Sequence, residues 1–85
     1  MIVTRHAAAR IAERIGHALT DDALTDLLAR ARPYDDKRDR WTFRPALSTS
    51  FEYHVTTYRG VPLLLVCATD AADLVLVSVY AAVRR

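Results

Sequence analysis

His6, Arg10 and Arg14 recur at i, i+4 and i+8 within the stretch TRHAAARIAERIG, Thr4 to Gly16. On a helix this spacing lines them along one side. A histidine can take or give a proton near neutral pH, and a guanidinium forks onto phosphate. The three together suit a phosphate-bearing ligand, and Arg5 adds a fourth basic group at the helix start. Where they point depends on the buried seam. If Ala8, Ile11, Ala12 and Ile15 form the core, the basic side faces solvent, with Glu13 as an ion-pair partner. If Ala7, Ile11 and Ile15 form it, Arg10 and Arg14 flank the seam and reach toward whatever the helix packs on.

A second group lies near the middle of the chain. In SFEYHVTTY the residues alternate, so Glu52, His54, Thr56 and Tyr58 share one strand face and Phe51, Tyr53 and Val55 the other. A histidine beside a carboxylate can be held in one tautomer and act as a general base. The plainer alternative is a polar outer face on an edge strand. Tyr80 shares a strand face with Ser78 and offers a hydroxyl, or fills the core as a half-buried aromatic. Cys67, in an apolar strand, reads as a small buried hydrophobe. The sequence holds no phosphate-binding glycine loop, dinucleotide fingerprint or nucleophile elbow.

Eighty-five residues make one domain with a modest core, spanning residues 1–85. No apolar run approaches the length of a membrane span, and no secretory signal opens the chain. One cysteine excludes an internal disulfide, so cytoplasm is the expected compartment. One cysteine and three scattered histidines (His6, His17, His54) match no metal-ligand spacing, so neither a metal nor a cofactor is expected. Eleven of the twelve basic residues are arginine, with Lys37 the exception. Acids are interspersed among them, so any basic patch must be made by folding.

The elements that must position these groups are two helices followed by a sheet. Thr4 can cap a helix over residues 5–15, and Gly16 can end it in a left-handed conformation. Thr20 caps a second helix, with Leu19 and Leu24 spaced as a hydrophobic staple. Asp21 and Asp22 fall in its first turn, Arg30 and Arg32 in its last, and Pro33 ends it. Its buried stripe is Ala23, Leu24, Leu27, Leu28 and Ala31. PYDDKRDR reads as a polar, mobile loop, and WTFRP as a short strand with Trp41 and Phe43 on one face. Three more strands follow, near 47–58, 61–69 and 74–83, turning at Arg59-Gly60 and at residues 70–73. The expected fold is α+β: two N-terminal helices, then a three- to four-stranded antiparallel sheet. Two short helices cover only one face of a sheet holding Leu63, Leu64, Leu65 and Val66. The other face must be met by the long loop, a partner or another copy of the chain.

Against that frame, TRHAAARIAERI resembles the opening of the DUF4258 family in its His-Ala pair, two arginines and following glycine: His6-Ala7, Arg10, Arg14 and Gly16. LTDDAL falls where that family begins its second helix. YRGVPLLLVCATDAADLVLVSVY resembles its final hairpin, with Tyr58, Gly60 and Tyr80 in place. The family lies near the RelE/BrnT-like toxins. The resemblance implies a RelE-like fold and metal-independent cleavage of RNA, with an antitoxin as protein partner. It implies His6, Arg10, Arg14 and Tyr80 as site residues, where a base takes the ribose 2′-OH proton, a cation steadies the phosphorane and an acid protonates the leaving oxygen. The strand alternation adds His54 to the catalytic candidates. Arg5, Arg14 and Arg59 are the candidate RNA contacts.

Two functions from different classes follow. One is a toxin-type endoribonuclease. The other is a non-catalytic interaction module, for example a phage or mobile-element inhibitor of a host system. It would use the spare apolar sheet face and the arginine-lined helix to bind a protein or a second copy of itself.

Overall fold

The computed structural model describes residues 2–43, 47–70 and 73–81, and the side chains of Asp70 and Asp73 lie outside the description. Its elements run β1 (Ile2–Val3), α1 (Arg5–Ile15), α2 (Asp21–Ala29), β2 (Arg32–Pro33), α3 (Asp36–Phe43), β3 (Glu52–Tyr58), β4 (Val61–Asp70) and β5 (Asp73–Ala81). The strands form one sheet in the order β1-β5-β4-β3-β2. β1 pairs parallel to β5, and every other pairing is antiparallel. The expected α+β fold with two N-terminal helices and three or four antiparallel strands is therefore corrected. The described residues hold three helices and a five-stranded mixed sheet. The two additional edge strands have two residues each, too short to show any alternation.

Thr4 binds the first helix to the sheet. Its Oγ1 accepts the Ala7 backbone N–H at 3.1 Å, capping α1. The same hydroxyl and the Thr4 N–H both donate to the Leu76 carbonyl on β5, at 3.0 and 3.2 Å. Gly16 ends α1 at φ 89°, where a side chain would be strained, and its N–H reaches the Ala12 carbonyl. Ala7 and Ile11 are buried, Ile15 is half-buried, and Ala8 is exposed. The buried seam of α1 is thus Ala7, Ile11 and Ile15. α2 begins at Thr20, whose Oγ1 accepts the Ala23 N–H. It ends at Ala29, one turn before the Arg32 and Pro33 expected of it, because those two residues pair with Val55 and His54 as β2.

α1 and α2 bury one face of the sheet. Ala7, Ile11 and Leu27 pack with Leu63, Leu65, Cys67, Leu76 and Val79. The one polar group of β3 buried in this layer is satisfied, since the Thr56 hydroxyl donates to the Leu27 carbonyl at 2.8 Å. Side chains at opposed positions of neighbouring strands share a face. Leu64, Val66 and Tyr80 therefore point to the other side.

That second face is met by α3, which replaces the polar loop and short strand expected over residues 33–45; Arg44 and Pro45 lie outside the described residues. The Asp35 carboxylate accepts the Lys37 N–H at 3.0 Å, and its carbonyl accepts from Arg38 and Asp39, starting the helix. Phe43 packs on Val55 and Leu64 beside Tyr34 and Tyr53, and burying its ring contributes about 2 kcal/mol. Trp41, expected on the same face as Phe43, points outward instead, 63% exposed. The other anchor is ionic. Arg32 of β2 donates two hydrogen bonds, at 2.7 and 2.8 Å, to the buried carboxylate of Asp39, which also accepts the Asp35 N–H.

The Arg32 hydrogen bonds hold the Asp39 carboxyl below its ordinary range. A carboxylate depressed in the fold stabilises it above the unfolded value, and this contribution is lost as pH falls through the folded one. Asp39→Asn is expected to cost about 2 kcal/mol at neutral pH, the scale of a hydrogen bond to a charged group. Urea unfolding should show the gap to the parent chain closing below the usual carboxylate range, because only the parent loses its carboxylate there.

Candidate functional site

The structure divides the sequence candidates among three places. His6, Arg10 and Arg14 stay together on α1, and Arg5 opens the same helix. The Arg10 Nε–H points to His6 Nε2 at 3.5 Å, and its Nη1 donates to Glu13 at 3.0 Å. Arg10 is half-buried beside the seam, while Arg5, His6 and Arg14 are exposed.

His54 lies elsewhere, on β3, directly opposite Leu65 of β4 and Pro33 of β2. β3 is an interior strand, so its polar row is not the outer face of an edge. Glu52, His54, Thr56 and Tyr58 lie on the helix-packed side, as their pairing with Cys67, Leu65, Leu63 and Val61 shows. The row does not work as one group. Glu52 accepts from the Thr69 hydroxyl at 3.2 Å, and Thr56 is taken by Leu27. Tyr58 meets the His17 ring edge-on, with centroids 5.9 Å apart, and the Arg59 guanidinium lies 5.4 Å from its own centroid.

Tyr80 occupies the third place. It opposes Leu64, on the α3 side of the sheet, and is half-exposed. Ser78 opposes Val66 on the same side. The β-sheet therefore stands between Tyr80 and α1, and the acid expected of Tyr80 is not brought to His6 and Arg10. Cys67 lies in the core, and burial pushes its thiol up to about 11, with the Glu52 charge adding to the effect. An uncharged, enclosed thiol is a poor nucleophile.

Two groupings escaped sequence reasoning. His17, Tyr58 and Arg59 meet at one corner, because the turn between α1 and α2 lies over the β3–β4 turn. His17 lies far from the other two in the chain, and the three share no periodic pattern. Arg59 and Gly60 both have positive φ, 48° and 80°, the two-residue hairpin geometry in which asparagine is the favoured first residue. The other grouping is the outer side of α3, where Arg40 stacks on Trp41 at 5.5 Å. Assigning this segment to a loop and strand hid it.

Among the described residues, no three His, Cys, Asp or Glu side chains gather where they could hold a metal ion. No helix of the described residues is long and apolar enough to cross a membrane. No family model, curated protein or solved structure matches the chain.

Proposed function

We propose that this chain is a non-catalytic interaction module that works through the second face of its sheet. One observation carries this reading. α3 covers Val55 and Leu64, but the β5–β1 side of the same face carries Ile2 and Tyr80, exposed by 51% and 50%. Between them lie Val75 and Ser78, both only partly buried, and none of these four side chains is charged. Partly exposed apolar strips of this kind mark contact surfaces. An uncharged strip fits an uncharged protein surface, and a second copy of the chain supplies one through an isologous contact.

A second reading is supported by the contact between Arg10 and His6. In a toxin-type endoribonuclease of the DUF4258 or RelE kind, His6 would take the 2′-OH proton. Arg10 would steady the phosphorane, and Arg5 and Arg14 would hold the flanking phosphates. The arrangement supplies a base and a cation without Tyr80 as the acid.

Sedimentation equilibrium over a range of concentrations tests the first reading. A reversible dimer is expected, reduced to monomer by Tyr80→Lys with the far-UV circular dichroism unchanged. A parent chain that stays monomeric at millimolar concentration contradicts it. Incubating the chain with RNA, with and without EDTA, tests the second. EDTA-resistant cleavage lost in His6→Ala supports it, and intact RNA rejects it.

A further inference from the structure

The outer side of α3 carries a feature that neither reading uses. Trp41 is the chain's one tryptophan and its most exposed large apolar side chain among the described residues. Asp39 and Phe43 turn inward, so the opposite side of the helix presents Trp41 with Lys37 and Arg38, four and three residues before it. Arg40 stacks on the indole at 5.5 Å from its centroid.

None of the nearby acids is ion-paired to these cations. Asp39 is bound by Arg32, Asp36 accepts from the Tyr34 hydroxyl at 3.1 Å, and Asp35 caps the helix through the Lys37 backbone N–H. Lys37, Arg38 and Arg40 make no ion pair among the described residues. The result is a flat, accessible ring with three exposed positive groups around it.

We infer that this side of α3 is a binding site for single-stranded nucleic acid, with Trp41 stacking on an unpaired base and Lys37, Arg38 and Arg40 contacting the flanking phosphates. Aromatic rings inside a cationic surface are the means by which proteins hold single strands without reading their sequence. Every base has a face to stack, and each phosphate contact releases a counterion. A lipid surface fits less well, since this helix side has one apolar residue and an interfacial helix needs a continuous apolar face. A protein interface core fits less well too, because lysine is depleted there.

The inference does not depend on the sheet-face contact or on cleavage at His6. Its test uses the full chain and the emission of Trp41. Oligouridylate and oligothymidylate of about ten residues are titrated at low salt, with oligoglutamate as an acidic-peptide control. Saturable quenching by both nucleic acids is expected, with log affinity falling by about 2 per decade of salt if three phosphates are contacted. Followed by anisotropy of a labelled strand, Trp41→Ala should weaken binding about tenfold or more, while Trp41→Phe should retain most of it. Arg38→Ala should reduce the salt slope by about 0.7. Because Trp41 is exposed, these variants should unfold at the parent's urea midpoint. No quenching at low salt, undiminished binding by Trp41→Ala, or equal affinity for oligoglutamate would each overturn the inference.

Discussion

The structure depends on one constraint: a sheet that is apolar on both faces must be covered by three short helices. α1 and α2 bury Leu63, Leu65, Cys67, Leu76 and Val79 on one side. The other side has only α3, eight residues long and mostly polar. That helix is held by two anchors, the Phe43 ring on Val55 and Leu64 and the Asp39 carboxylate on Arg32. Without them the second face would be open from β2 to β1. With them it is covered over β3 and part of β4, and Tyr80 and Ile2 stay half in solvent.

The same sheet governs what chemistry is possible. It separates the α1 group, His6 with Arg10, from Tyr80, and places His54 against the helix-packed layer. Residues that look like one catalytic set in sequence thus fall into three environments. What the fold leaves exposed is better suited to contact than to reaction: an uncharged strip on the sheet, a basic helix side at α1, and an indole with its cations on α3. Thr4 and Arg32 serve this arrangement from opposite edges, one fastening α1 to β5 and the other fastening α3 to β2.

The first two helices were legible in the residues. Thr4, Gly16 and Thr20 mark helix boundaries through side-chain and backbone chemistry that works within four residues, so no tertiary information is needed to read them. Arg59-Gly60 and the long apolar run of β4 were legible for the same reason. α3 was not. Its residues are too polar for an apolar period, and its anchors, Arg32 and the second sheet face, lie outside its own span. β1 and β2 were hidden by their length, since two residues cannot alternate. The site fared less well than the fold. The line of His6 and Arg10 follows from helical spacing, but the side of the sheet on which Tyr80 lies depends on its opposition to Leu64 and on the register shift between Val66 and Cys67, which no local pattern reveals.

Nuclear Overhauser contacts of the Tyr80 ring test this partition most directly. Cross-peaks to the Leu64 methyls are expected, with none to Ala7 or Ile11, while the neighbouring Val79 methyls should show contacts to the α1 layer instead. Cross-peaks from the Tyr80 ring to Ala7 or Ile11 would place it under α1, beside His6 and Arg10, and would contradict the separation on which the proposed interaction role rests.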